Sequence, residues 1–194
     1  MSLFRAGTQF VGGLVGLLAG VVTLPRTMKG NVQIPKGRGS RADRLVPDPV
    51  IGRQRVVRLY LALATACGFG YLITGLGARS SLIHALTTVS TGGFSDRADS
   101  LVSAPGGTKV VATVFMLIGG VSFFALFWLL RGNHRRFVKS PELRIYLGII
   151  GLVTLSLLQE VDGLSVGDAL FTAASASSTT GLAVTEWTGF PSGA

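Results

Sequence analysis

The sequence repeats one local pattern at a single offset. Ser90-Thr91-Gly92-Gly93-Phe94 and Ser178-Thr179-Thr180-Gly181-Leu182 each close a short amphipathic segment that follows a long apolar run, and their central glycines are 88 residues apart (181 − 93). At that spacing Val57 falls on Ile145, Ser80 on Asp168, Ala85 on Ala173, Ser90 on Ser178 and Thr91 on Thr179. One register aligns helix, cap and motif, which confines the chain to folds built from tandem copies of one unit. Glycine tolerates backbone geometries that strain other residues, and a Gly-rich segment between half-buried helices can expose backbone carbonyls to a dehydrated cation. The repeat therefore implies a cation pathway.

The surroundings of the repeat are those of a bilayer protein. Hydrophobic residues make up 48% of the chain and charged residues 14%, with a mean hydropathy of +0.54; a soluble domain carries about 25% charged residues. The net charge of +9 does not indicate a nucleic-acid partner, because the basic residues are not interleaved with aromatics and gather between apolar spans. Cys67 is the only cysteine and sits inside an apolar run, which reads as a small core hydrophobe. Arg5 stands almost alone before a Gly-rich apolar stretch, unlike a cleaved signal.

A bilayer core of about 30 Å needs roughly 20 helical residues, and the spacing predicts spans over 8–24, 57–77, 110–130 and 145–159, the first and last borrowing flanking residues. Ser81 to Val89 and Ala169 to Ser177 are too short to cross and are expected as re-entrant half-helices covering about half the core. Ser80 and Asp168 stand just before them as expected N-caps, each contributing about 1 kcal/mol. Gly12, Gly16 and Gly20, spaced by four, are expected to form a close-packing helix face.

Charge orients the chain. Residues 26–58 carry Arg26, Lys29, Lys36, Arg38, Arg41, Arg44, Arg53, Arg55 and Arg58, and residues 131–144 carry Arg131, Arg135, Arg136, Lys139 and Arg144. Cytoplasmic loops collect such residues. Asp96, Asp99, Glu160, Asp162, Asp168 and Glu186 fall on the opposite side, so both Gly motifs are expected to face outward toward an acidic rim.

His84-Ala85-Leu86-Thr87-Thr88-Val89-Ser90-Thr91-Gly92-Gly93-Phe94-Ser95 closely resembles the second pore loop of the Trk/Ktr/HKT superfamily of potassium transporters. Thr179 to Thr185 resembles the third pore loop of its Trk-type bacterial members, and Phe4 to Gly13 the stretch after their first filter. The resemblance covers essentially the whole chain. It implies an all-α integral membrane fold of tandem helix, pore half-helix, filter and helix units with potassium-channel-like architecture, here incomplete at both ends. On that register 1–25 is the closing helix of the first unit and 26–55 a basic cytoplasmic linker. Residues 56–131 are then the second unit with filter 90–95, and 132–194 the third unit without its closing helix, with filter 178–183. The family's gating segment and the basic residue of its fourth unit would lie outside the sequence.

The resemblance implies potassium uptake across the bacterial inner membrane, with potassium as the transported ion and no cofactor. The expected ligands are filter carbonyls in Ser90, Thr91, Gly92, Gly93, Phe94, Ser178, Thr179, Thr180, Gly181 and Leu182; Gly93 and Gly181 stand at the position associated with potassium selectivity. It also implies a homodimer of the complete subunit and a cytoplasmic, nucleotide-binding Trk regulatory protein, with no nucleic acid. The basic loops are expected to touch anionic lipid.

Other classes are less well matched. A non-conducting membrane scaffold or degenerate remnant, binding a cytoplasmic partner or lipid through its basic loops, is the alternative. A secondary transporter with broken helices predicts inverted repeats and intramembrane charge, whereas these repeats run parallel through spans almost free of charge. The sequence has no GxSxG elbow for a hydrolase, and His84 and His134 lack partners at metal-ligand spacing. His84 is expected as a surface or packing residue of its half-helix.

Overall fold

The computed structural model of the protein describes residues 2–31, 49–96, 99–121, 138, 140–161 and 163–184. Their regular structure is helical: α1 (Ser2–Asn31), α2 (Pro49–Ile73), α3 (Ala78–Val89), α4 (Gly106–Gly119), α5 (Pro141–Glu160) and α6 (Val166–Ser177). Parts of α1, α2 and α5 are long and apolar enough to cross a membrane. Their large apolar side chains stand mainly outside the protein core, as with Phe4, Ile73 and Leu152, because in lipid such a face carries no penalty.

The helices run past the expected spans at several ends. α1 reaches Asn31 and α2 begins at Pro49, so both enter the stretch expected as linker, whose residues 32–48 lie outside the described chain, as do 122–130 of the expected span 110–130. α2 stops at Ile73 rather than 77. There Gly75 takes φ +90, the Leu76 N–H reaches the Tyr71 carbonyl at 3.1 Å and the Gly75 N–H reaches Leu72 at 3.1 Å. This is a Schellman turn with glycine at its left-handed position.

Both half-helices begin three residues earlier than expected and are 12 residues long, or about 18 Å at 1.5 Å per residue. The expected caps are not the caps. The α3 N-cap is Gly77, with no side-chain bond, and the α6 N-cap is Ser165, whose Oγ accepts the Asp168 N–H at 3.1 Å. Ser80 and Asp168 lie within the first turns, where their side chains reach across the fold: Ser80 Oγ donates to Asp96 at 2.6 Å, and Asp168 receives Lys109 Nζ from α4 at 3.3 Å.

Each half-helix packs against the long helix before it and one earlier helix, α3 on α2 and α1, α6 on α5 and α4. One contact repeats between these layers. Tyr60 of α2 donates its hydroxyl to the Phe10 carbonyl at 3.2 Å, and Tyr146 of α5 donates to Leu117 at 3.5 Å. Three residues beyond each carbonyl is a glycine, Gly13 or Gly120. A Cβ there would meet the tyrosine hydroxyl and the Cβ of Ser90 or Ser178, at 2.7 and 3.2 Å for Gly13 and at 2.2 and 3.1 Å for Gly120. Among the described residues, close packing on α1 thus rests on Gly13 and not on the expected face, since a Cβ at Gly12, Gly16 or Gly20 meets none of them within 4 Å.

The core gathers around α3 and the two Gly-centred loops, with Cys67, Tyr71, Met116 and Phe171 almost wholly enclosed. Cys67 is a free, buried thiol, as a core hydrophobe should be.

Candidate functional site

The two Gly-centred loops start from the same helix ending. At α3 the Thr91 N–H reaches the Thr88 carbonyl (3.2 Å) and the Gly92 N–H the Thr87 carbonyl (2.7 Å); at α6 Thr179 reaches Ala176 (3.1 Å) and Thr180 reaches Ser175 (3.0 Å). Both are Schellman turns, but the left-handed position holds threonine, Thr91 at φ 51 and Thr179 at φ 57. A β-branched residue is a genuine outlier there. Two residues on, Gly93 (φ 62) and Gly181 (φ 80) are left-handed again. Thr179→Gly is expected to raise stability by about 0.5–1 kcal/mol by relieving the β-branched strain, less glycine's entropy cost. The check is the thermal midpoint in detergent; an unchanged or lower midpoint would show that the threonine is not strained.

Within the loops the carbonyls divide into two sets. Gly92 accepts from Gln9 Nε2 at 3.2 Å, Phe94 from Thr87 Oγ1 at 2.9 Å and Leu182 from Ser175 Oγ at 2.7 Å. Ser178 accepts from Thr179 Oγ1 at 2.7 Å, whereas among the described residues the carbonyls of Ser90, Thr91, Gly93, Thr179, Thr180 and Gly181 accept no hydrogen bond. Both half-helices end at the loops, so their C-terminal dipoles add roughly half a negative charge each.

The loops also touch each other. The Thr180 carbonyl oxygen lies where a side chain at residue 93 would begin, 1.7 Å from an ideal Cβ. Beyond the motifs, Leu101 N–H bonds the Ala183 carbonyl at 3.0 Å and Ser100 Oγ accepts the Ala183 N–H at 3.1 Å. Asp96 stands beside the N-terminal half of α3, between Ser80 and a fully buried His84 whose Nε2 is 3.4 Å away. His84 is a packing residue, meeting the Tyr71 ring edge-on at 5.9 Å. No group of three metal-ligating side chains occurs among the described residues. His134, Arg97, Asp162 and Glu186 lie outside them.

All ten expected site residues are described and fall in these two loops. Sequence reasoning missed Gln9, Thr87 and Ser175 as loop supports and the Tyr60 and Tyr146 docking. Thr87 and Ser175 share the 88-residue register and both carry hydroxyls, so the signal was present. The tyrosines are 86 residues apart (146 − 60), because helix and turn together are two residues longer in the later unit, and the strict offset hides them.

Tandem units of spanning helix, half-helix and strained loop, with apolar faces turned outward, define an all-α membrane protein of pore-loop architecture. No family model matches the chain. It is 26% identical over 210 residues to the Trk system potassium uptake protein TrkH of Vibrio parahaemolyticus, an alignment covering 97% of the chain and 42% of that protein. It is 23% identical to TrkI of Halomonas elongata (81% and 32% covered) and 25% identical to TrkG of Escherichia coli (80% and 33%). The crystal structure of the potassium transporter TrkH from Vibrio parahaemolyticus superposes with a TM-score of 0.75 at 24% identity, covering 95% of this chain and 39% of that one. The chain is homologous to the Trk potassium uptake proteins and has the fold of TrkH. It spans about a third to two fifths of their length. These relatives are transport proteins, not enzymes.

Proposed function

We propose that this chain supplies two quadrants of a potassium-uptake pathway, with Ser90–Phe94 and Ser178–Leu182 as filter loops. The observation that carries this reading is the repeated threonine–glycine pair in left-handed backbone, which ends two half-helices and leaves the carbonyls of Thr91, Gly93, Thr179 and Gly181 without internal partners. Thr91 and Gly93 are half-buried and Thr179 and Gly181 exposed, and accessible carbonyls left available at a helix C-terminus suit a dehydrated cation. Gly92, Phe94 and Leu182, with internally bonded carbonyls, act as the frame. The remaining quadrants come from chain beyond these residues, in a subunit that forms homodimers in the bacterial inner membrane. The filters face outward. The basic 26–58 and 131–144 stretches face the cytoplasm, near anionic lipid and a nucleotide-binding regulatory protein. A non-conducting scaffold would leave the duplicated strain without a use.

The test is to read the coding sequence on both sides of residues 1–194 and assay rubidium uptake by the complete frame in cells lacking their own potassium uptake. Two further Gly-centred pore loops and restored, potassium-competed uptake are expected. Start and stop signals bracketing these residues, with no uptake, would overturn the proposal.

A further inference from the structure

Thr87 and Ser175 occupy one register position in the two units and make the same pair of contacts. Through the backbone, each carbonyl receives an N–H from five residues on, Gly92 at 2.7 Å and Thr180 at 3.0 Å. Through the side chain, each hydroxyl donates to a carbonyl seven residues on, Phe94 at 2.9 Å and Leu182 at 2.7 Å. Both residues are buried, Thr87 at 0% and Ser175 at 3% exposure. A helical Ser or Thr ordinarily returns its proton to the preceding turn. Thr87 has that option, with the Ile83 and His84 carbonyls at 3.0 and 3.2 Å, yet Phe94 is its nearest acceptor; Ser175 bonds Leu182 alone.

The contacts close each loop at both ends on one residue. Between the two anchors lie Gly93 in one loop and Gly181 in the other, whose carbonyls are among those left available. We propose that Thr87 and Ser175 are positioning residues that set ion discrimination by holding the far end of each filter loop to its half-helix. The proposal rests on the filter reading above. Neither hydroxyl touches the ion; both keep the loop from closing onto a smaller cation, so losing one loosens selectivity before it affects folding. The matching register makes the effect expected in both units, and the shared geometry makes an accidental contact in one of them a poor explanation.

The experiment uses the complete reading frame in uptake-deficient cells, comparing rubidium uptake under sodium and potassium competition. Thr87→Val removes the hydroxyl at nearly constant volume and Ser175→Ala at a slightly smaller one. Each is expected to lower potassium-over-sodium discrimination roughly three- to tenfold, the effect of one hydrogen bond, with membrane protein amount unchanged. Thr87→Ser keeps the donor and is expected to restore discrimination, which a purely packing role would not predict. If Thr87→Val fails to accumulate, Ser175→Ala carries the test. Unchanged discrimination in Thr87→Val and Ser175→Ala, beside altered discrimination in Gly93→Ser, overturns the positioning proposal and leaves the filter standing. Unchanged discrimination in all three overturns both.

Discussion

Gly93→Ser is expected to lower discrimination between potassium and sodium by about tenfold or more. Two independent obstacles meet at this residue. Its φ of 62 belongs to the left-handed region, where a side chain costs on the order of 1–3 kcal/mol. Its Cβ would stand 1.7 Å from the Thr180 carbonyl oxygen and 2.8 Å from the Thr180 carbonyl carbon, both backbone atoms that cannot swing aside. Overpacking of this kind adds about 1–3 kcal/mol. The strain is relieved only by separating the loops, and the carbonyls of Gly93 and Thr180 must move with them. Gly181→Ala is the internal comparison. Its Cβ would meet nothing within 4 Å, so it bears the conformational cost of φ 80 without the collision. Rubidium uptake under sodium and potassium competition measures both, and equal effects would show that the loop contact is not what sets the outcome.

Gly120→Ala is expected to destabilise the protein by about 2–3 kcal/mol, more than Gly13→Ala. The new methyl at residue 120 meets the Tyr146 hydroxyl at 2.2 Å, its ring carbon at 2.9 Å and the Ser178 Cβ at 3.1 Å. At residue 13 it meets only the Tyr60 hydroxyl inside 3 Å. Both sites set a tyrosine and the C-cap serine of a half-helix against the new methyl, so the difference lies in the closer approach at residue 120, where the ring carbon as well as the hydroxyl lies inside 3 Å. Thermal midpoints of detergent-purified protein should fall in the order wild type, Gly13→Ala, Gly120→Ala. The reverse order would mean that the α4–α5 docking is softer than these distances imply.

The half-helices were legible because their evidence is local. Twelve residues between a breaker and a Ser/Thr/Gly motif cannot cross a bilayer, and the same pattern recurs at a fixed spacing. The left-handed turns of the two Gly-centred loops arise from equally local causes: Thr91 and Gly93, and Thr179 and Gly181, stand two residues apart and take positive φ by local backbone geometry. The caps were not legible. Ser80 is as good a capping residue by composition as Ser165, but its hydroxyl is drawn to Asp96, sixteen residues away in sequence. A side chain's preference among acceptors depends on which is near in space.

By itself, the sequence determined the membrane setting, the tandem repeat and the placement of two Gly-centred loops, since hydropathy, helix length and glycine's backbone freedom act within a few turns of chain. Tertiary structure alone decided which carbonyls are tied and which are left available, that Gly13 and Gly120 rather than Gly12, Gly16 and Gly20 admit a neighbour, and that Gly93 must lack a side chain because Thr180 approaches it. Those are contacts between segments tens of residues apart, and close packing and hydrogen bonding act over a few ångströms of space, whatever the distance along the chain.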